Sequence, residues 1–559
     1  MALIFSHRLI CRLLFLFSTI INATRAHRNE TKLHIAIVGA GITGASVAYH
    51  LNSVGADTSI AITVFEKDAQ LGGRVQSNQY YGNLVAELGA LHFSESDQCL
   101  MSAVDSFGLN KKPASRPVGL WNGTELLHGS QGLGCAVGVE AGSGTLRDLI
   151  TWASRVYFPP PQVRGIINKA KEDLVLWATR VRKHGVLAPW KFHHASASDL
   201  ERWKQFGSEN NEPFNNFQSG LDSAGLSGDV LGSTEEYAGL AGSRFSREAV
   251  EPCTRALVSQ NLDHVRALSA VISDDPGRVI SLWYGNVRLI EDMIKRSGAI
   301  LKTDSRVTRI KTAADRRYSI KTDGNDNNGE FDIVLLAGGP NQDLSSILSD
   351  VLPPHQIPAP SHYTETHVTL FTTEQPLHLP RSESPEQDVA VPQGISAIYF
   401  TNNFNSNMPE LLHAYSIYAA GNDEDCEIEF ECDEFVYRRV HRIVSRSALS
   451  DTNIARLAGL SLEAGETLEE KDITDVRRAA WPHAFPIYEN HGDESWKNIE
   501  LAPGLLYLGG GEKLHSSLEM GCRMGRNAAR LMRVIGEEAG RVRASEELEN
   551  RHDGYVKEL

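Results

Sequence analysis

The chain carries Gly39-Ala40-Gly41-Ile42-Thr43-Gly44 directly after the apolar run Ile35 to Val38, and a second run, Ile60 to Phe65, ends on Glu66. Few patterns restrict a fold as tightly. Gly39 permits a tight turn as the strand ends. Gly41 lets the backbone approach a pyrophosphate with no Cβ in the way, and Gly44 lets the following helix lie close to the sheet. The helix N-terminus then offers free N–H groups and a partial positive charge to the phosphates. Glu66 stands where a carboxylate accepts ribose hydroxyls. The expectation is a βαβ unit that holds a dinucleotide.

The following residues favour FAD over NAD. Leu71-Gly72-Gly73-Arg74 gives a loop that can pass close to a cofactor, with an arginine to neutralise a pyrophosphate charge. Val85 to Ala90 adds Gly89 after a short extended run. Phe331 to Leu336 reads as a buried strand ending in Gly338-Gly339-Pro340, and Leu505 to Leu508 as another before Gly509-Gly510-Gly511-Glu512. A helix from about Ser517 to Val534 follows; its electropositive end would stabilise the flavin edge that gains charge on reduction. A strand over Arg306 to Lys311 brings Val307 into the set of expected cofactor contacts.

Taken together, FEKDAQLGGRV, AELGALHF, WNGTEL (Trp121 to Leu126), DIVLLAGGP, WPHAFPIYE (Trp481 to Glu489) and LYLGGGEKLHSSLEMGCRMGRNAA resemble the prenylcysteine oxidase (prenylcysteine lyase) family of FAD thioether oxidases. Pro482, His483 and Pro486 carry the narrower part of the resemblance, with Gly511-Glu512, Glu519-Met520 and Asn527-Ala528-Ala529. It runs from about residue 33 to 559. Tyr284-Gly285 stands where the family usually has a Gly-Gly pair, and 131–250 and 375–475 align poorly. The resemblance implies FAD, with Glu519 and Met520 among its contacts, and the lack of an obvious His or Cys anchor beside the glycine loop makes a non-covalent cofactor the expectation. It implies oxidation at C1 of an S-prenyl cysteine, then addition of water, giving an isoprenoid aldehyde, cysteine and, from O2, hydrogen peroxide. His483 and Glu512 are the candidates to act at the polar end of the substrate or on the water, and His515 is a weaker one. Rival readings are an FAD oxidase of another apolar metabolite, a lumenal flavin carrier without turnover, and an NAD dehydrogenase.

The fold expected is α/β, a Rossmann-type FAD-binding domain of the glutathione-reductase or amine-oxidase type with an inserted α+β substrate domain. Its flavin pieces are 32–130, 250–345 and 500–540; 131–249 and 346–499 build the substrate domain, and 541–559 is a charged tail. Within the insertions, Leu149 to His184 reads as helical, Ser361 to Thr373 and Val391 to Thr401 as strands, and Phe206 to Ser227 as a lid or long loop.

A net charge of −15 with no basic stripe excludes nucleic acid as the expected partner. No metal site is expected, since no CxxC occurs. Residues 1–26 have the shape of a signal peptide: Arg8 and Arg12, the apolar stretch Leu13 to Ile21, then Ala23 and Ala26. No other run is long enough to span a membrane, which leaves room for peripheral membrane contact with a lipid substrate. The setting expected is the secretory lumen, with vacuole or lysosome implied by the resemblance. Asn29 and Asn122 head glycosylation sequons. Beyond Cys11, Cys99, Cys135, Cys253, Cys426, Cys432 and Cys522 permit disulfides there.

Overall fold

A computed structural model describes residues 33–52, 60–81, 84–113, 117–131, 187–226, 228–234, 236–237, 240, 242–275, 278–313, 317–325, 328–339, 344–381, 387–401, 408–421, 436–488 and 497–534. The leader, Asn29, the 149–184 stretch, Cys426, Cys432 and the 541–559 tail lie outside them.

Two large sheets organise the described residues. Their strands in chain order are β1 Leu33–Val38, β2 Ile60–Phe65, β3 Pro117–Trp121, β4 Leu126–Gln131, β5 Ile300–Lys302, β6 Ile333–Leu336 and β7 Tyr363–Thr373. β8 Ala397–Phe400, β9 Leu411–Gly421, β10 Val436–Ser445, β11 Thr474–Pro486, β12 Glu500–Ala502 and β13 Leu505–Tyr507 complete them. The helices that matter below are α1 Ile42–Asn52, α2 Gln98–Phe107, α3 Leu187–Gln205, α4 Phe217–Ser223, α5 Glu251–Val258, α6 Val287–Ser297 and α7, spanning 518–534.

The first sheet has the order β5-β2-β1-β6-β13-β12. Its first five strands pair in parallel and β12 closes the edge antiparallel. Both faces are covered over the middle of the sheet, so the central residues of its strands are apolar rather than alternating. Ile35, Ala36 and Ile37 are fully buried, as are Val334, Leu335, Leu505 and Leu506. The Rossmann-type reading of the sequence is thus the observed fold.

The second sheet runs β11-β7-β10-β9-β8-β3-β4. One face packs Trp121, Phe371, Ile398, Phe400 and Ile443 into their own core. The other face turns toward the first sheet's domain, with Val118, Leu120, Ala397 and Tyr399 against Cys253 of α5. β3 and β4 belong to this sheet, so 117–131 lies with the inserted region and not with the flavin piece drawn to residue 130. The cause is β3 pairing in parallel with β8, a long-range contact that local patterning does not carry.

The reading of 206–227 as a mobile lid is corrected, although 206–215 does lie outside helix and strand. Phe206, Phe214, Phe217, Leu221 and Leu226 are buried in the main core. α7 holds the segment by its backbone: Asn527 Oδ1 accepts from Phe214 N at 3.0 Å, Asn527 Nδ2 donates to Phe214 O at 2.8 Å, and Arg526 and Arg530 donate to the carbonyls of Gly207 and Ser208. Its Asn and Ser content suggested exposure, but the phenylalanines at the intervening positions decide the packing. A disulfide between Cys99 of α2 and Cys522 of α7 spans 423 residues of sequence. Cys253 is disulfide-bonded as well.

Candidate functional site

The glycine loop between β1 and α1 behaves as its sequence demands. Gly39 has φ +109°, and its N–H donates to Phe65 O at 2.8 Å. A Cβ on Gly44 would sit 2.0 Å from Gly39 O, so no side chain fits there while α1 stays against β1. Gly41 is different: the nearest atom to its Cβ would be Gly72 O at 3.9 Å. That position is glycine without a protein neighbour requiring it. Gly72 (φ +115°) and Gly73 (φ +58°) lay the second loop on the first, with Gly72 N donating to Ala40 O at 3.0 Å.

Glu66 is buried at the end of β2. Its carboxylate accepts from Ala40 N (2.8 Å) and Asp68 N (3.0 Å), which fixes both oxygens beside the glycine loop and leaves lone pairs for further donors. Val307 packs in the cluster that contains Ala36 and Phe65.

The N-terminal and C-terminal motifs meet at Arg74. Its guanidinium pairs with Glu512 and donates to Ala484 O at 2.9 Å. Glu512 also accepts from Tyr363 OH at 3.0 Å, and Tyr363 lies edge-on to His483, ring centres 5.8 Å apart. Burial and the Glu512 charge push the Tyr363 phenol upward, so it stays a donor. Gly339 and Gly509 leave room for this junction: a Cβ on Gly339 would lie 3.1 Å from Glu512 Oε2, and one on Gly509 would lie 2.3 Å from Gly338 O. Gly510 and Gly511 are buried in the same turn, and Met520 packs under Gly511. Gly89 joins from the other side, where a Cβ would meet Arg74 O at 2.1 Å.

His483 is not on a loop. It lies on the long strand β11, exposed on its surface. β11 is an edge strand, and an edge tolerates Pro482 and Pro486 because a missing N–H there costs no ladder bond. Glu519 sits apart from this junction. Its carboxylate accepts from Cys99 N and Leu100 N, both at 3.1 Å, and from Arg523 Nε at 2.6 Å. It caps the start of α2. Asn122 lies in the turn between β3 and β4, where its Oδ1 accepts from Thr124 N and Glu125 N.

A cavity of about 440 Å³ opens beside Glu512, lined by Leu231, Val258, Phe485, Gln260 and His515 among others. Two buried polar atoms there have no partner among the described residues: Gln260 Oε1 and His515 Nε2. Gln260 Nε2 donates to Pro486 O, which turns Oε1 the other way. His515 shares its Nδ1 with Ser269 Oγ at 3.1 Å, and burial with the Arg523 charge pushes its pKa down to about 3, so the ring is neutral.

Sequence reasoning missed a second polar group, on the face of the second sheet that turns to the first domain. His92 Nε2 meets Tyr415 OH at 3.0 Å, and Tyr415 OH meets Tyr399 OH at 3.2 Å. His413 packs edge-on to Tyr415. Arg442 donates to Glu87 O (2.8 Å) and Gly89 O (2.9 Å). Burial lowers His92 to about 3 and raises the Tyr415 phenol. His92 follows the Gly89 motif directly, which was the one available signal; the others come from separate strands.

Glu87 makes this region pH-dependent. Burial pushes its carboxyl up to about 7, although Ser77 Oγ (2.6 Å) and Asn286 N (2.8 Å) donate to it. In the unfolded chain it titrates near 4.5. The folded state therefore keeps a proton that the unfolded state loses. Glu87 contributes stability fully below pH 4.5, and that contribution is lost as pH rises through about 7. The loss is on the order of 3 kcal/mol. Glu87→Gln should raise the thermal midpoint relative to the wild type more at pH 7 than at pH 4.5; an equal difference at both pH values contradicts it.

The comparisons with known proteins agree with this geometry in two steps. Residues 37–107 match the NAD(P)-binding Rossmann-like domain, which defines the class. Residues 211–537, more than half of the chain, match the family described as prenylcysteine lyase. The chain belongs to that family.

Curated relatives match short stretches only. Tryptophan 2-monooxygenase of Rhizobium rhizogenes is 37% identical over 92 residues, 15% of this chain and 12% of that protein. Protoporphyrinogen oxidase 2 of Arabidopsis thaliana is 37% identical over 78 residues, 14% of each chain. The chain thus aligns with well under two thirds of either relative. Among solved structures, wild-type putrescine oxidase bound to putrescine superposes with a TM-score of 0.50 at 15% identity, over 90% of this chain and 99% of the other. A fatty acid isomerase from P. acnes gives 0.51 at 13%, over 89% and 98%. At such identity the likeness concerns the fold.

Proposed function

We propose that this protein is an FAD-dependent oxidase that cleaves the thioether of S-prenyl cysteines, with O2 as electron acceptor. The observation that carries the reading is the junction of Arg74 with Glu512. It joins a dinucleotide loop to the C-terminal glycine turn, in a chain of the prenylcysteine lyase family.

The residues fit FAD. Gly41 leaves open the space a pyrophosphate would use, at the N-terminus of α1. Glu66 would hold ribose hydroxyls, and Arg74 would place its charge toward the phosphate and ribityl side. A bound flavin would supply a two-electron acceptor for a C–H bond held against it. The chain's own residues do the rest. Leu231, Val258 and Phe485 exclude water from an isoprenoid, at about 0.8 kcal/mol for each buried CH2. Gln260 Oε1 and neutral His515 Nε2 stand ready for the polar end of the substrate or for the water that must add. Glu512, engaged with Arg74 and Tyr363, positions rather than transfers protons.

The leader-like N-terminus and the Cys99–Cys522 disulfide support an oxidising lumen, and a vacuole or lysosome suits an enzyme of prenylated-protein breakdown.

Anaerobic mixing of the purified yellow protein with farnesylcysteine should bleach the oxidised flavin band, and air should then release hydrogen peroxide. No bleaching and no peroxide with either farnesyl- or geranylgeranylcysteine would remove the thioether assignment. Bleaching by amines or other apolar metabolites instead would redirect it.

A further inference from the structure

Trp283 and Tyr284 are 54% and 73% exposed, side by side. They occupy the centre of a tight turn: Gly285 N donates to Leu282 O at 3.1 Å. Turn centres ordinarily carry Gly, Pro, Asn, Asp or Ser, for reasons of backbone geometry and local hydrogen bonding. Two large aromatics there leave more than half of their own surface to solvent and lie outside the core clusters.

The turn is held firmly. Trp283 N donates to Asn110 O at 3.1 Å, Leu282 N donates to Asn286 Oδ1 at 3.1 Å, and Asn286 N donates to Glu87 at 2.8 Å. Gly285 has φ +89°, and a Cβ there would meet Ser77 at 2.4 Å. The aromatic pair is therefore presented by a rigid base, which lowers the ordering cost of any contact it makes.

The surroundings are basic. The Lys112 ammonium lies 5.4 Å from the Trp283 ring centre. Tyr284, Arg288, Lys295 and Arg296 border a recess of about 540 Å³. Lys111 pairs with Asp105, and Arg288 with Glu291 and Asp292. Lys295 and Arg296 have no carboxylate partner among the described residues. This cationic patch sits on a chain of net charge −15.

We propose that the Trp283–Tyr284 turn and its flanking Lys112, Lys295 and Arg296 form a docking surface for an anionic phospholipid bilayer. Trp and Tyr favour the headgroup level, where an apolar ring and a polar tip are both satisfied. Each lysine or arginine near an anionic surface adds about 1 kcal/mol. The acidic remainder of the surface is repelled, so the patch sets the orientation. A protein partner is disfavoured by area. A stable protein interface buries about 800 Å² on each side. Apart from this pair, only Ile300 and Val534 are exposed large apolar side chains among the described residues. A projecting pair of rings suits insertion into a soft interface better than docking on a rigid one. The inference is independent of the thioether reading.

The test is co-sedimentation of the full-length flavoprotein with vesicles of phosphatidylserine and phosphatidylcholine, against phosphatidylcholine alone. Binding to the anionic vesicles is expected, falling as salt is raised. Trp283→Ser with Tyr284→Ser should weaken it at least about tenfold, while flavin absorbance and the thermal midpoint stay unchanged. Lys295→Gln with Arg296→Gln should remove most of the preference for phosphatidylserine. No sedimentation of the wild type, equal sedimentation of the aromatic variant, or equal binding to both vesicle types overturns the proposal. So does loss of a dimer in the aromatic variant by analytical ultracentrifugation, which would assign the turn to a second copy of the chain.

Discussion

Gly41→Ala is expected to give a folded protein that binds FAD about 10- to 100-fold more weakly, whereas Gly44→Ala is expected to yield no stable yellow protein. Both belong to one hexapeptide, and the difference lies in what each Cβ would meet. At Gly44 it would lie 2.0 Å from Gly39 O and 3.1 Å from Ile37 Cγ2. Neither a strand-end carbonyl nor a core isoleucine can give way by that much, so α1 must lift off β1 and the sheet loses its cover. At Gly41 the nearest protein atom is 3.9 Å away. The apo fold should accept the methyl, and only a ligand pressed against the loop would feel it. Flavin fluorescence titration and thermal unfolding of the apoprotein separate the two. Unaltered FAD affinity in Gly41→Ala would mean that no pyrophosphate approaches there.

Arg523→Ala should cost about 3–5 kcal/mol of stability without weakening the flavin affinity of the protein that remains folded. Arg523 and Glu519 are each 2% exposed, and they pair within α7. Arg523 also donates to the carbonyls of Trp203 and Phe206, and its guanidinium lies 4.6 Å from the Trp203 ring centre. Truncation would leave the buried Glu519 carboxyl with the Cys99 and Leu100 N–H groups and the nearby Arg526 charge, without its guanidinium partner. It would also leave the Phe206 carbonyl at the end of α3 without its guanidinium donor, while Trp203 O keeps the Phe206 N–H. Pairing Arg523→Met with Glu519→Gln should recover part of the loss, because the uncompensated charge goes with its partner. Urea unfolding gives the stability and flavin titration the affinity. A large change in affinity with little change in stability would instead make Glu519 a cofactor contact.

The contrast between these two sites explains what could be read from the sequence. The glycine loop, Glu66, and the strands that end on Gly338 and Gly509 are local patterns: a turn, a close approach and a buried parallel strand each leave a mark within ten residues. The meeting of Arg74 with Glu512 was legible only as two motifs belonging to one site. Glu519 carried the same kind of motif signal, yet its carboxylate caps α2, because the disulfide brings that helix start to α7. Which residue answers which N–H is set by packing between segments some 420 residues apart, and no local period records it. Tyr399, Tyr415 and Arg442 were invisible for a related reason. Their face is defined by cross-strand register, Tyr415 opposite Arg442 and Tyr399 opposite His413, and register is a property of pairs. Phe206 to Ser227 misled because its polar composition outweighed the spacing of its phenylalanines.

The central sheet also dictates when this molecule can come into being. Strand β1 is flanked by β2 and β6, and β6 cannot be covered on its far side until β13 arrives from residues 505–507. Nearly the whole polypeptide must leave the ribosome before its first thirty ordered residues have their final neighbours. The early strands must wait with their aliphatic surfaces in the open, in need of chaperone cover. Closure of Cys99 onto Cys522 then marks the end of maturation, and a chain cut short before β13 should be recovered as aggregate instead of as a smaller flavoprotein.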